Sequence, residues 1–191
     1  MKGMCRLFLL MAVCFFVSSG AEAADFRKSH WGDSQKKVMA AEGRPLFRYP
    51  DSIVYESSVA SQPATIFFGF IDDRLVKASY IFKTKHSDEQ LFVSDYLDIN
   101  DSMFSKYGLP KTDHMNWSND LYKGRSDKYG FAVAAGHLSY MSTWLTQDGE
   151  TEIAHMLNGD NFKISHSLLY VSTRFKDVLM KEREVRSMDG L

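Results

Sequence analysis

The residues in this chain best suited to chemistry are histidines, serines and carboxylates, so their spacing comes first. His155 and His166 lie in consecutive alternating segments, and Ser142 lies in the segment before them. Alternation places every second residue on one face of a strand. Asp148-Gly149 separates Tyr140–Gln147 from Glu150–Asn158 and is a strong hairpin signal, because both residues accept the positive φ of a two-residue loop. A two-residue loop there puts Trp144 opposite Ile153 and Ser142 opposite His155. A second turn at Gly159-Asp160 puts His155 opposite Ile164 and His166 opposite Ile153. The two histidines become diagonal neighbours on one face, roughly 7–8 Å apart at the backbone.

Two imidazoles so placed could hold a metal only with a third ligand, from His137 or a carboxylate, and structural sites need three or four converging groups. No His-x-x-x-His spacing occurs in the chain. Gly-x-Ser-x-Gly, a glycine-rich phosphate loop and a catalytic paired-carboxylate motif are also absent. Asp113-His114 is a dyad in sequence alone, within a polar stretch that reads as solvent-facing. The sequence therefore assigns no catalytic residue, no metal ligand and no cofactor. The face around the histidines collects Tyr140, Ser142, Trp144, Ile153, His155, Leu157, Phe162, Ile164, His166 and Leu168. It reads either as core beneath helices or as an aromatic recognition surface, since interfaces are enriched in such side chains. On the second reading the binding residues are Tyr140, Trp144, His155, His166 and Phe162. Met141, Leu145, Ala154, Met156, Leu169 and Val171 fall on the reverse face.

The elements that must position these residues follow from pattern and punctuation. Ser34–Glu42 reads as a short helix, capped by Asp33 or Ser34 and stopped by Gly43 and Pro45. Ser52–Ser58, Ala64–Ile71 and Leu75–Phe82 form a first meander, with Asp72-Asp73 as a turn. Ser87–Tyr107 is the clearest helix. Ser87 and Gln90 make a capping box, and Phe92, Tyr96, Ile99, Met103 and Tyr107 line one face. Lys111–Arg125 is polar and irregular. Ser126–Gly136 is a helix interrupted by Gly130, and Phe175–Arg186 is a charged terminal helix.

Both halves repeat one plan: a helix, a Gly-x-Pro stop and three strands, over residues 30–84 and 87–174. The expected fold is α+β, an antiparallel sheet from two helix-plus-three-strand units with helices on one face. Gly32-x-Ser34-x-x-x-Val38, followed by Gly43-x-Pro45, resembles the helix start of small outer-membrane assembly lipoproteins of the SmpA/OmlA type. The doubled helix-plus-meander plan resembles the β-lactamase-inhibitor-protein fold. These resemblances imply an α+β interaction module of the cell envelope. The lipidated cysteine of those lipoproteins has no counterpart in the mature chain.

Location is read from the first residues. Lys2 and Arg6 precede an apolar run from Leu7 to Val17, and Ala21-Glu22-Ala23 presents small residues where a signal peptidase reads. The run is shorter than the roughly 20 residues that cross a bilayer. Residues 1–23 are thus expected to be a signal peptide cleaved near Ala23, leaving residues 24–191 as one exported domain, periplasmic or secreted, without stable membrane insertion. Both cysteines, Cys5 and Cys14, lie in the leader, so the mature chain has no disulfide, thiolate metal site or cysteine nucleophile. A content of 45% hydrophobic and 14% aromatic residues supplies the core instead. The formal net charge of −1, without a Lys/Arg run, leaves no footprint for nucleic acid. The resulting expectation is a non-catalytic binding protein of the envelope, its partner an unidentified protein or small ligand. The alternative is a small periplasmic enzyme whose pocket sets a histidine beside a carboxylate.

Overall fold

The computed structural model describes residues 24–188, the side chains of residues 183 and 185–188 excepted; the expected signal peptide, residues 1–23, lies outside that range. The elements run α1 Gln35–Glu42, β1 Phe47–Arg48, β2 Ser52–Val59, β3 Gln62–Ile71, β4 Arg74–Phe82 and α2 Gln90–Tyr107. After these come β5 Thr112–Trp117, two single 3-10 turns, α3 Tyr129–Ala134, β6 Leu138–Leu145, β7 Thr151–Asp160, β8 Lys163–Ser172 and α4 Lys176–Met188. The eight strands form one antiparallel sheet in the order β1-β2-β3-β4-β8-β7-β6-β5. The fold is α+β.

Local chemistry explains most boundaries. The Ser34 hydroxyl accepts from Lys37 N–H at the start of α1, and Gly43, at φ 94°, ends it by donating its N–H to Met39 O. At α2 the expected cap does not form. The Asp88 carboxylate accepts the Gln90 N–H instead, and the Gln90 side chain accepts the Gly130 N–H of α3. α2 therefore begins three residues late because its first turn is tied to α3. A Cβ on Gly130 would lie 2.3 Å from Gln90 N and from Glu89 C. The glycine that weakens the helical pattern is what lets α3 touch the start of α2.

The hairpins depart from expectation in turn geometry and agree in facing. The β6–β7 connection is longer than two residues: Gly149 alone takes a positive φ, 74°, and the Asp148 carboxylate accepts the Glu150 N–H. The register is nevertheless the expected one, with Tyr140 opposite Leu157, Ser142 opposite His155 and Trp144 opposite Ile153. The β7–β8 turn falls at Asn161-Phe162 (φ 48° and 58°), two residues beyond Gly159-Asp160. His155 consequently opposes Leu168 and Leu157 opposes His166. Gly159 serves a close approach in place of a turn, since a Cβ there would meet Val133 O at 2.3 Å. The partner of each β7 residue moves by four along β8, an even slip that keeps every side chain on its face, whereas an odd slip would invert them all.

One face of the sheet is interior. Val38 of α1 and Ile99 and Met103 of α2 join Ile53, Ile66, Phe68, Tyr80, Ile153 and Leu168 in one buried cluster. A second cluster joins Val93 and Tyr96 of α2 and Ala132 and Val133 of α3 to Leu138, Tyr140 and Leu157. α4 lies elsewhere, bordering Lys77, Glu152, Leu169 and Val171 on the reverse face. Lys111–Arg125, expected as irregular, contains the edge strand β5, whose Asp, His and Asn carry little strand propensity and whose residues are mostly exposed. No described helix is long and apolar enough to cross a membrane.

Candidate functional site

Three strands and α2 converge on a buried polar cluster. Ser142 of β6, His155 of β7 and His166 of β8 point from the covered face, and Tyr96 and Asn100 of α2 come down upon them. Ser142 and His155 are fully buried and His166 is 4% exposed. Asp113 enters from the exposed edge strand, directly opposite Ser142.

Proton positions follow from what each group can do. The Asp113 carboxylate can only accept, so the Ser142 hydroxyl donates to it at 2.7 Å. That hydroxyl has no second proton, so Tyr96 O–H and Asn100 Nδ2–H must donate to Ser142 Oγ, at 2.6 and 2.9 Å. With its amide nitrogen so engaged, Asn100 turns Oδ1 to His155 and accepts from Nδ1–H at 2.6 Å. Neutral His155 then has a lone pair at Nε2, where His166 Nε2–H donates at 2.8 Å. The chain runs in one direction, from His166 through His155, Asn100 and Ser142 to Asp113.

The aromatic surroundings set the charge states. Tyr96 stacks on His155, with centroids 4.1 Å apart and planes 12° apart, and Phe82 covers His166 at 4.4 Å. Burial, then the neighbouring His166, lowers the His155 pKa to about 2. Burial also lowers His166, to about 4, with the negative charge of Asp95 opposing part of the shift. Burial raises the Tyr96 phenol to about 12 against the opposing Ser142 hydrogen bond. Both imidazoles are therefore neutral and Tyr96 remains a donor near neutral pH. Asp95 is itself hydrogen-bonded to His86 at 2.8 Å.

The cluster is built to be satisfied. Its hydroxyl has no lone pair to spare, the ring nitrogens that face each other are paired, and helix α2 seals it from water. No group of three or more metal-ligating side chains occurs among the described residues. Of the five expected binding residues, Tyr140 (7% exposed), Trp144 (2%), His155 and His166 are interior. Trp144 also donates from Nε1 to Gly108 O at the end of α2. Phe162 is 62% exposed, in the turn and off that face. The structure thus decides between the two readings of this face in favour of core, because α2 and α3 cover it.

Asn100 and Tyr96 escaped the sequence reading of the site, although they sit four residues apart on one flank of a helix that was expected to be amphipathic. Asp113 was expected in solvent; it is exposed, yet its carboxylate terminates the buried chain.

The reverse face is the accessible one. Met141 pairs with Met156 across β6 and β7, with half-buried Ala154, Leu169 and Val171 beside them. Leu145 is 43% and Ile81 40% exposed. A concavity of about 390 Å³ opens here between Lys111, Thr143, Leu145, Ala154, Leu169 and Val171. A second one, of about 350 Å³, continues it to Leu179 and Met180 of α4. Compared with known proteins, the chain matches no family model, no curated protein and no solved structure.

Proposed function

We propose that this chain is an exported, non-catalytic interaction protein of the cell envelope that engages its partner through the reverse face of the sheet. The observation that carries the reading is the asymmetry of the sheet's two faces. One is sealed by helices, while the other presents a broad apolar surface rimmed by Lys77, Lys111 and Glu152. Contiguous apolar surface of this kind characterises binding sites. The Met141–Met156 pair suits adaptable contact, since methionine side chains are flexible and polarisable. This reading moves the recognition surface from the Tyr140/Trp144/histidine face to the face behind it.

The leader-like residues 1–23 support a periplasmic or secreted location for the mature chain. The mirrored strand order, in which β4 meets β8 at the centre, supports two tandem units, each a helix followed by antiparallel strands. The likeness to the β-lactamase-inhibitor-protein plan is in keeping with that arrangement. The enzyme reading has less behind it: the histidines face each other and Asn100 in a sealed interior, where no substrate atom could approach.

The test is substitution on the reverse face of two strands and on an exposed position of helix α2. The mature protein and its Ala154→Arg, Leu145→Glu and Leu97→Glu variants are immobilised and offered envelope extract. Near-UV circular dichroism checks that each is folded. A partner retained by the wild type and by Leu97→Glu, and lost from the two reverse-face variants, is the expected outcome. Retention by all four would remove the reverse face from consideration.

A further inference from the structure

The segment Asp25–Asp33 joins both halves of the molecule. Phe26, 2% exposed, sits with its ring 5.3 Å from Phe68 of β3, 5.0 Å from Tyr80 of β4 and 5.0 Å from Tyr170 of β8. It fills the seam at which β4 meets β8. On the first unit, Arg27 pairs with Glu42 of α1 at 2.9 Å, Gly32 N–H donates to Leu75 O, and Leu75 N–H donates to Asp33 O. On the second, the buried Trp31 donates from Nε1 to Thr151 Oγ1 at 2.8 Å, and the Arg174 guanidinium donates to Trp31 O at 2.6 Å. The Asp25 carboxylate accepts the Trp31 N–H and folds the segment back on itself.

The expected processing bond, between Ala23 and Ala24, lies three residues before Phe26. That is at most about 10 Å of extended chain. A protease needs several residues on each side of the bond drawn out and free of structure, and cleavage of a docked segment must wait for local opening. Phe26 and Trp31 oppose that opening from both units.

We infer that Asp25–Asp33 is a closing strap whose docking shuts off removal of the leader, so that residues 1–23 have to be cut away before the seam between the two units is sealed. The inference rests on the exported reading above. It has a corollary for order: a full-length chain that folds first buries Phe26 and protects its own processing site.

The experiment uses the full chain, residues 1–191, folded in mild detergent and treated with purified signal peptidase; mass spectrometry reads the new N-terminus. The same chain added directly from denaturant is cut before it can fold. Folded wild type is expected to be cut at least tenfold more slowly than folded Phe26→Ala, with Trp31→Phe, which keeps an aromatic ring and loses the indole bond to Thr151, in between. Should Phe26→Ala fail to unfold cooperatively, Trp31→Phe carries the comparison. Brief trypsin treatment of the processed protein provides a second readout: Arg27 and Lys28 are protected in wild type and cut in the variants. Equal signal-peptidase rates for folded wild type and the folded variants overturn the strap and leave the export reading standing. Failure to cut at Ala23 even in the chain added from denaturant overturns both.

Discussion

Lowering the pH from 7.5 to 4.5 acts directly on the buried histidine pair. In the unfolded chain each imidazole titrates near its ordinary value of about 6.5. In the fold, burial holds His155 down to about 2 and His166 down to about 4. Below pH 6.5 the unfolded chain binds protons that the folded chain does not accept, so stability falls as the pH falls. The contribution is fully present above about pH 6.5. Each histidine costs about 1.4 kcal/mol per pH unit while its unfolded form is protonated and its folded form is not. Over the two units from pH 6.5 to 4.5, His166 alone contributes a loss of about 2.2 kcal/mol and the pair about twice that. Either is a large fraction of the 5–15 kcal/mol typical of a domain. The carboxylates act in a lower window. Asp33, where Lys37 and the His30 N–H outweigh the upward effect of burial, and Asp148, held down by Thr146 and the Glu150 N–H, lose their contribution only as they protonate, below about pH 4. Urea titrations at pH 7.5, 6.5, 5.5 and 4.5 separate the two windows. The His155→Gln, His166→Gln double variant is the control, because it keeps amide groups for hydrogen bonding and removes the titration, while His30, His86, His114 and His137 stay unchanged. A flat wild-type profile between pH 6.5 and 4.5, or an undiminished slope in the double variant, would falsify the assignment of a neutral, sealed pair.

Other substitutions probe the supports of the cluster. Asn100→Leu leaves His155 Nδ1–H without its acceptor and frees one lone pair of Ser142, so a loss of about 1–3 kcal/mol is expected in urea unfolding at pH 7.5. Gly130→Ala drives a methyl group into the backbone at Glu89–Gln90, 2.3 Å away, and forces α3 off the start of α2. A loss of about 1–3 kcal/mol, the usual cost of overpacking, is expected, together with faster amide exchange across α3. Gly43→Ala is a different case: open space surrounds its Cβ position, so its cost reflects only the backbone at φ 94° and ψ −159°, a region essentially reserved for glycine, and is expected at about 1–3 kcal/mol. Phe162→Asn replaces a bulky residue at φ 58° with one that tolerates the left-handed region. Thermal unfolding is expected to show no loss or a gain of about 0.5 kcal/mol, unless the edge-to-face contact with Phe131 is worth more than the relieved strain.

Much of the fold was legible in pattern alone, for physical reasons that differ by element. α1 was readable because Ser34 and Gly43 are side-chain and backbone solutions to unsatisfied helix ends, and these are local. Strands β3, β4, β6, β7 and β8 were readable because each has one face in water or half-covered, which enforces alternation; β2 alternates only weakly, with Ile53, Val54 and Tyr55 all buried. β5 was not, because an exposed edge strand with polar residues needs no alternation to stay paired. The start of α2 was misjudged because Gln90 has two possible partners, and the tertiary one, Gly130, prevails over the local cap.

The histidine site shows the same division. Alternation along β7 and β8 was enough to put His155 and His166 on one face, and the diagonal contact survived a turn displaced by two residues because facing depends only on the parity of the register. What lies above that face does not follow from parity. Whether Tyr140, Trp144 and the two histidines meet a partner or a helix depends on where α2 and α3 come to rest. That is settled by long-range packing, with Tyr96 stacking on His155 and Asn100 closing the hydrogen-bond chain. The sequence by itself determined the faces of the sheet. The tertiary structure decided which face is buried, because only there do side chains 42 to 55 residues apart in the chain come within hydrogen-bonding distance.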